Sequence, residues 1–419
     1  MADDSEAQQQ SASQQGAART WLINAALSPL AVRLIRQLLA QGDQVAACLP
    51  PFELQDADRS AEFRDLMAEC RSGRADREGW LERIRGIRCD GTISSCGAAV
   101  AETVEAFGQI DILLCCRSES VVGTVEELST NPSTQSLVRE QFETIFFSQV
   151  NFIKAALPQL RSQRTSHILV LTSIGGHIST PHMSMYSAAT WALEGYCDAL
   201  TYEIAPFNVK VTIVQPNQEI QSLTNRITFA PQIPAYANSF MEAPSMREML
   251  TNVLNSNPET MTPAIPDFET SSTSTGTSPR TPAPSVPGPS ASSQPQQHPP
   301  HPQYQQTQQQ QQQQQQREIP PLEPEEGIGE IFSRYPRLPP SALDTLVSET
   351  IHVLISVGGL DDPPSRHIVG AEGSVLVQEK LKTVTEEMED FVEASLAVDI
   401  FESELTEEAR DGRNRPGRT

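Results

Sequence analysis

The chain has 419 residues, of which 32 are proline, and a formal net charge of -23 at pH 7. Such a negative charge argues against anionic partners, namely nucleic acid and anionic membrane surfaces. No run approaches about 18 apolar residues, and residues 1–18 are acidic and polar, so we expect neither a membrane span nor a signal peptide. These features predict a cytoplasmic protein, with the nucleus as the alternative location.

Seven cysteines are scattered through apolar segments without any CxxC spacing. This pattern predicts the buried, reduced thiols of an intracellular protein, and it indicates no metal site. Cys115 and Cys116 are neighbours, which leaves a redox role open as the less favoured alternative.

An alternation of strands and helices begins after residues 1–18, which are predicted to be a disordered tail. Residues 20–24 form a short predicted strand, Ser28 and Pro29 are typical of a helix start, and residues 44–48 form a second strand. A unit of this kind is where a dinucleotide-binding fold places its phosphate loop.

The alternation continues along the rest of the chain. Further predicted strands cover residues 87–90, 110–115, 168–172 and 209–215, and predicted helices cover residues 95–108, 136–161, 341–355 and 374–396. The pattern predicts an α/β fold with a parallel sheet. The last helix is amphipathic, and its apolar residues are Leu381, Val384, Met388, Phe391 and Val392.

The most informative stretch, residues 173–195, follows a β-branched strand. Ser173 and Tyr186 lie thirteen residues apart in it, and each taken alone would be a turn serine or a half-buried tyrosine. With the preceding strand and the sequence YSAATWALEG, the stretch resembles the short-chain dehydrogenase/reductase family. The resemblance implies a Rossmann-like doubly wound parallel sheet with helices on both faces. It also implies that Tyr186 donates or accepts the proton and that Ser173 orients the substrate carbonyl.

The family places a lysine four residues after the tyrosine, where this chain has Thr190. A phenol titrates near ~10, and a cation one helical turn away would lower that pKa. Threonine carries no charge. The family's relay asparagine falls on Ile145, so the resemblance implies a catalytic frame without two of its polar groups.

The resemblance also implies NAD(P) as cofactor. The family loop TGxxxGxG aligns with residues 24–31, where Ala25, Pro29 and Ala31 stand at the glycine positions. Glycine is used there because the backbone approaches the pyrophosphate closely, and each Cβ pushes the phosphate away. The positions that the resemblance assigns to the cofactor are Asn24, Ala25, Ser28, Ala31, Asp90, Cys115 and Pro216.

Three of these assignments lie outside the loop. Asp90 matches the family's adenine-binding aspartate, although an aspartate after a strand is also a common helix cap. Cys115 opens the slot of the family's NNAG sequence, which here reads CCRS. Pro216 is followed by Asn217, where the family has Pro-Gly beside the nicotinamide. The sequence therefore argues against NAD(P) binding.

Residues 256–330 are rich in Ser, Thr, Pro and Gln and include an unbroken glutamine run over residues 308–316. They are too poor in apolar residues to offset the entropy of ordering, so we predict a disordered insertion, with contacts to partner proteins as an alternative role. Residues 19–255 and 331–400 are predicted to form one domain around it, and residues 401–419 a charged tail.

The resemblance further implies a homodimer through helices 136–161 and 186–205. Phe146, Phe147 and Trp191 on those helices would form an apolar patch at its surface.

Two functions from different classes remain open. The first is a catalytically degenerate scaffold or regulatory protein, which the lost glycines, the CCRS slot, Ile145 and Thr190 favour. The second is an active NAD(P)-dependent oxidoreductase that acts on a hydroxyl or carbonyl substrate through Tyr186 and Ser173, with a cation supplied from elsewhere.

Overall fold

Seven parallel strands form the main sheet in the computed structural model, which describes residues 18–74, 78–217, 220–237, 246–255 and 329–392. The strands, in chain order, are β1 (Thr20–Ile23), β2 (Gln44–Leu49), β3 (Ile84–Arg88), β4 (Ile112–Cys115), β5 (Ser120–Val122), β6 (His167–Leu171), β7 (Lys210–Pro216), β8 (Ile227–Phe229), β9 (Phe332–Arg334) and β10 (Arg366–Val369). The main sheet has the order β10-β7-β6-β4-β1-β2-β3, and a small second sheet has the order β5-β8-β9.

Helices connect the strands. In chain order they are α1 (Pro29–Gln41), α2 (Pro51–Gln55), α3 (Ala61–Glu69), α4 (Trp80–Arg83), α5 (Ile93–Phe107), α6 (Pro132–Phe142), α7 (Ser148–Gln163), α8 (Ser184–Ile204), α9 (Ile220–Leu223), α10 (Pro234–Ala237), α11 (Met246–Asn255), α12 (Pro340–Gly358) and α13 (Ala371–Asp390). Short 3-10 turns lie at Glu127–Ser129, Ile174–Gly176 and Ala205–Phe207, and a π turn lies at Glu143–Phe147.

Both faces of the main sheet are covered by helices. Ile23 of β1 packs in the core that contains Ile351 of α12, whereas its neighbour Leu22 packs in the core that contains Phe152 of α7. Successive side chains of a strand point to opposite faces, so a strand with apolar residues at every position requires an apolar layer on each side. This arrangement confirms the predicted Rossmann-like doubly wound sheet.

The strand order reverses at β1, which lies between β2 and β4. Leu22 is paired with Ala46 on one side and with Leu113 on the other. In open α/β sheets, ligands bind in the crevice outside the carboxyl ends of the strands at such a reversal. The segment after β1, residues 24–31, and the segment after β4, residues 116–118, therefore border the crevice in which a dinucleotide would be expected.

The predicted helix start at Ser28 is confirmed, since the Ser28 side chain caps α1 and Pro29 is its first residue. The helix predicted over residues 136–161 is confirmed, with one difference: a π turn at Glu143–Phe147 joins α6 to α7 within the continuous helical segment. A π turn inserts one residue but leaves apolar residues at three- and four-residue steps, so sequence periodicity does not reveal it.

Several predicted segments lie outside the described residues: the tail over residues 1–17, the low-complexity insertion over residues 256–328, residues 393–396 of the last predicted helix and the charged tail over residues 401–419. All the described residues belong to one unit. Within them, no helix combines the length and the apolar character needed to cross a bilayer.

Candidate active site

Ser173 and Tyr186 come together beyond the carboxyl end of β6. Ser173 caps the turn at Ile174–Gly176, where its Oγ accepts a hydrogen bond of 3.0 Å from the Gly175 N–H. Tyr186 lies in the first turn of α8, and its hydroxyl is 3.5 Å from Ser173 Oγ. Ser173 is 1% exposed and Tyr186 2%, so the pair is retained but shielded from solvent.

Thr190, at the family's lysine position, is buried one helical turn after Tyr186. Its hydroxyl donates a hydrogen bond of 2.9 Å to the backbone carbonyl of Tyr186. Threonine within a helix commonly makes this bond back to the preceding turn. The hydroxyl therefore serves the helix backbone, and Thr190 itself supplies no positive charge to the phenol.

Ile145, at the family's asparagine position, lies in the π turn and is buried. Its carbonyl accepts a hydrogen bond of 2.7 Å from Gln149 Nε2, which also donates to the Arg117 carbonyl at 3.1 Å. The Gln149 side chain thus satisfies a carbonyl within the π turn, and the residue at the relay position is apolar.

Glu194, which the sequence analysis did not single out, lies two helical turns after Tyr186. Its carboxylate accepts hydrogen bonds from Thr172 Oγ1 at 2.8 Å and Gln215 Nε2 at 2.9 Å. It fills the space beside Gly176, where an added Cβ would lie 2.1 Å from Glu194 Oε1. Burial raises the pKa of Glu194, while the bonds from Gln215 and Thr172 and the charge of Arg366 act in the opposite direction. The sequence signal that could have revealed Glu194 is its position as an acidic residue within the apolar stretch TWALEG.

Asn24 ties the loop after β1 to the segment after β4. Its Oδ1 accepts hydrogen bonds from the backbone N–H groups of Cys116 at 2.7 Å and Arg117 at 3.1 Å. The Cys116 thiol in turn donates to the Ala25 carbonyl at 3.6 Å. These bonds close the loop against the CCRS slot.

The loop itself is buried, and neither Pro29 nor Ala31 offers a free backbone donor. Ala25 is 6% exposed, Leu27 1% and Ala31 0%. The Ala31 N–H already donates to Ser28 Oγ at 3.1 Å, and Pro29 has no N–H. A pyrophosphate needs free N–H groups and room for its oxygens at this helix start. The residues present, in this conformation, do not fit it.

A buried ion pair crosses the carboxyl edge of the sheet. Arg59 donates through Nε to Glu53 Oε2 at 2.6 Å, through one terminal nitrogen to the Thr224 carbonyl at 2.8 Å, and through the other to Asn225 Oδ1 at 2.8 Å. The Arg59 and Glu53 side chains are 5% and 10% exposed. The Tyr335 ring lies 4.6 Å from the guanidinium carbon. We call this group, Glu53, Arg59, Thr224 and Asn225, the Arg59 bridge.

The position of the Arg59 bridge follows from the strand order. Glu53 and Arg59 follow β2, whereas Thr224 and Asn225 follow β7, and the strands β1, β4 and β6 lie between these two. A bridge between those segments must pass over the carboxyl ends of the intervening strands. The charges of Glu53 and Arg59 act on Cys116, whose pKa is raised to about 12 mainly by burial. The Arg59 bridge therefore spans the crevice in which a dinucleotide would be expected.

The three remaining residues assigned to the cofactor have structural partners. Asp90 Oδ1 accepts hydrogen bonds from Ser95 Oγ and from the Thr92 backbone and side chain, and these bonds lower the pKa of Asp90 to about 2. Cys115 is fully buried, and Pro216 ends β7 paired with Val369 of β10. Asp90 thus holds the turn that precedes α5, whose cap is Thr92, and a cavity of about 480 Å³ lies beside it.

The cysteines are all buried and free. Burial raises the pKa of the Cys115 and Cys116 thiols, which disfavours the thiolate that redox chemistry needs. Within the described residues, no group of three or more His, Cys, Asp or Glu side chains is arranged to hold a metal ion.

Comparison with known proteins gives consistent similarities. The family model described as "short chain dehydrogenase" matches residues 60–222, a range that begins after the loop at residues 24–31 and after Arg59. A 3-ketodihydrosphingosine reductase of Bacteroides thetaiotaomicron is 34% identical over 173 residues, which are 39% of this chain and 60% of that protein. The dehydrogenase/reductase SDR family member 7B of Mus musculus is 34% identical over 126 residues, 30% of this chain and 36% of that protein.

A solved structure shares the fold. The short-chain dehydrogenase from Streptomyces avermitilis superposes with a TM-score of 0.56 at 19% identity, covering 92% of this chain and all of that one. The alignments to the two curated relatives span 60% or less of each relative's length. The chain is thus similar to short-chain dehydrogenases in its fold and, over residues 60–222, in its sequence.

Proposed function

We propose that this protein is a catalytically degenerate member of the short-chain dehydrogenase/reductase family, with a scaffold or regulatory role, and that it does not bind NAD(P). The observation that carries the proposal is the Arg59 bridge. It occupies the crevice between the segments after β2 and β7, and it is made of a buried ion pair rather than of mobile surface side chains.

The energetics of the Arg59 bridge favour this proposal. Separating a buried ion pair so that one charge is left unpaired costs about 3–5 kcal/mol. A nucleotide that must first open the crevice loses that free energy from its binding, which weakens the apparent affinity by roughly a hundredfold or more. The loop at residues 24–31 offers little in return, because Pro29 lacks an N–H and the Ala31 N–H is engaged.

The alternative is an active NAD(P)-dependent oxidoreductase that acts on a hydroxyl or carbonyl substrate. The retained Ser173 and Tyr186 pair favours it, as does similarity to a protein named as a reductase of a keto compound. It requires a crevice opened by movement of the Arg59 bridge and a cation other than residue 190 near the phenol. Tyr186 would then hold or move the proton at its hydroxyl, and Ser173 Oγ would orient the substrate oxygen.

A repair series tests the proposal. Thr190→Lys alone should give no NADPH oxidation with a generic carbonyl substrate, since a charge beside Tyr186 is of no use without bound nucleotide. The triple variant Ala25→Gly, Pro29→Gly, Ala31→Gly should restore some nucleotide affinity, because it returns an N–H at residue 29 and lets the backbone approach the phosphates. Addition of Thr190→Lys to the triple variant should then give slow turnover.

The unmodified protein and the single variant are the decisive members of the series. Turnover by either would contradict the proposal and support the active enzyme. If no member of the series binds nucleotide, the glycine substitutions are not sufficient to open the crevice. The Arg59 bridge would then be enough to keep it closed, which supports the degenerate role.

The proposed role includes self-association through the helical segments at residues 136–161 and 186–205. Phe147 is 46% exposed and Trp191 is 51% exposed, and Phe146 packs edge-on against Phe147 with ring centroids 5.0 Å apart. Exposed aromatic side chains grouped on neighbouring helices are typical of protein contact surfaces. Residues 256–328, outside the described part, supply the second proposed contact region.

A further inference from the structure

Three buried cysteine side chains meet at the carboxyl end of β3. Cys48 lies in β2, Cys89 follows β3, and Cys96 lies in the first turn of α5, and each of them is at most 2% exposed. The Sγ atoms of Cys89 and Cys96 are 4.0 Å apart, and the Cys48 thiol also donates a hydrogen bond to the Cys89 sulfur. The candidate active site and the Arg59 bridge use none of these thiols.

The surroundings of Cys89 favour its thiolate. Four groups donate hydrogen bonds to its sulfur and lower its pKa, although burial acts in the opposite direction: the Cys48 and Cys96 thiols, Ser95 Oγ at 3.6 Å and the Gly91 N–H. The same contacts raise the pKa of Cys48 and Cys96, which act as donors. Since the thiolate is the attacking form of cysteine, Cys89 is the nucleophile of the group.

Cys96 is better placed than Cys48 to form a covalent bond with Cys89. Cys48 is held within β2, whose backbone pairs with β1 on one side and with β3 on the other. Cys96 is joined to Cys89 by the turn that precedes α5. A disulfide has an S–S length of about 2.05 Å, so the two sulfurs must approach each other by about 2 Å. The turn can supply this movement more readily than the sheet, because a shift of the turn breaks no strand pairing.

The cavity of about 480 Å³ beside Asp90 lies next to this turn. Residues 90–94, which belong to the segment between the two cysteines, line it, and its other walls include Arg117, Ser148 and Asn151. The lining is polar and the cavity has ample room for hydrogen peroxide, a molecule little larger than water. The cavity thus brings a small polar oxidant next to the segment that joins both cysteines.

We propose that Cys89 and Cys96 are a site of reversible oxidation and form a disulfide when the folded protein meets hydrogen peroxide. The Cys89 thiolate attacks one peroxide oxygen, so that an S–O bond forms, the O–O bond breaks and hydroxide leaves, which gives a sulfenic acid at Cys89. The Cys96 thiol then attacks that sulfur, the S–S bond forms, and the sulfenic hydroxyl leaves as water with the Cys96 proton. Two thiols and one peroxide molecule give one disulfide and two water molecules.

Fragment mapping of the oxidised full chain tests the proposal. The folded protein is treated with hydrogen peroxide over a time course, its free thiols are alkylated in denaturant, and it is digested with a protease that cuts before aspartate. Cys89 and Cys96 then lie in separate fragments, residues 76–89 and 90–110, and neither fragment contains another cysteine. These two fragments should stay linked until a reductant is added, and the other five of the seven cysteines should be alkylated.

Two variants separate the steps. Cys96→Ser should abolish the link and leave a sulfenic acid at Cys89 that dimedone traps, because the thiol that would displace the hydroxyl is gone. Cys70→Ser is the matched control, since Cys70 is also buried but lies at the end of α3, and it should leave the link unchanged. Circular dichroism establishes that both variants are folded. If Cys96→Ser is not, the fragment link in the unmodified protein decides.

Three results would overturn the proposal. The first is seven alkylated cysteines after peroxide treatment of the folded protein. The second is a link between residues 43–55 and residues 76–89, which would place Cys48 in the disulfide. The third is a link that forms only in protein unfolded before oxidation, since the proposal rests on the folded geometry. A dimedone adduct at a cysteine other than Cys89 in the Cys96→Ser variant would contradict the order of attack.

Discussion

Two corners of one crevice, the reaction corner and the nucleotide corner, match the side-chain pattern of short-chain dehydrogenases to different extents. In the reaction corner, Ser173 and Tyr186 retain their positions, and the change at residue 190 leaves the helix undisturbed because the Thr190 hydroxyl bonds to the backbone. In the nucleotide corner, Ala25, Pro29 and Ala31 stand at the glycine positions of the family pattern, and the Arg59 bridge joins the segments on either side. The reaction corner thus differs from the pattern in single side chains, whereas the nucleotide corner also contains a buried ion pair.

The difference indicates which corner now stabilises the domain. Ser173 and Tyr186 share one long hydrogen bond of 3.5 Å. Arg59 makes three hydrogen bonds of 2.6 to 2.8 Å while buried, so its charge depends on its partners. Substitutions in the nucleotide corner should therefore affect folding more than those in the reaction corner.

The largest effect is expected at Arg59. Arg59→Gln leaves Glu53 buried without its cation, so the free energy of unfolding should fall by about 3–5 kcal/mol. Arg337→Gln is the matched control, because Arg337 pairs with Asp58 on the surface with both side chains more than 70% exposed, and such pairs contribute about 0–1 kcal/mol. Urea unfolding followed by circular dichroism measures both, and equal losses in the two variants would refute a structural role for the Arg59 bridge.

The second prediction concerns the pH dependence of the free energy of unfolding, which we expect to be set in part by His167 at the amino end of β6. His167 begins β6, its Nε2 lies 2.9 Å from Thr212 Oγ1, and burial lowers its pKa from 6.5 to about 4. The unfolded chain binds this proton near pH 6.5 and the folded chain only near pH 4, so stability is highest above pH 6.5 and falls as the pH drops towards 4. The loss amounts to about 3 kcal/mol once both states are protonated.

The measurement is urea unfolding at several pH values between 4 and 7 for the unmodified protein and for His167→Gln, which removes the titration. The free energy of unfolding should fall less steeply with decreasing pH in the variant, because the variant lacks the titration of His167. If the two slopes coincide, the imidazole is not buried in its neutral form. Since His167 touches neither corner, its effect should add to that of Arg59→Gln without coupling.

The smallest effect is expected at Thr190. Thr190→Val keeps the shape and removes a hydroxyl that bonds only to its own helix, so the free energy of unfolding should change by less than about 1 kcal/mol. Differential scanning calorimetry with Thr190→Ala as the cavity-forming control measures it. A loss as large as that of Arg59→Gln would remove the distinction between the two corners.

The fold could be predicted from the sequence because its signals are local. The β-branched run before Ser173 and the serine and proline at the start of α1 each fix an element within a few residues. The positions of Ser173 and Tyr186 followed from family spacing, since a strand end and the next helix start are held at a fixed geometry. The π turn was missed because it preserves the apolar spacing, and the short strands β5, β8 and β9 of the second sheet were not predicted.

The Arg59 bridge could not be predicted, because its partners are distant in sequence. Arg59 and Thr224 are 165 residues apart, and both lie in polar segments where a charge or a carbonyl gives no local signal. Glu194 was within reach, since an acidic residue inside an apolar helix is rarely left unpaired. Long-range polar contacts thus limit what pattern reasoning can find at a site.

The most direct test of the closed crevice is a titration of the unmodified, full-length protein with NADPH and with NADH at neutral pH, followed by nucleotide fluorescence. The Arg59 bridge and the loop at residues 24–31 predict no saturable change in nucleotide fluorescence up to millimolar nucleotide. An active short-chain dehydrogenase serves as the positive control. Saturable binding at micromolar concentration would contradict the account, since it would require a crevice that the Arg59 bridge does not close.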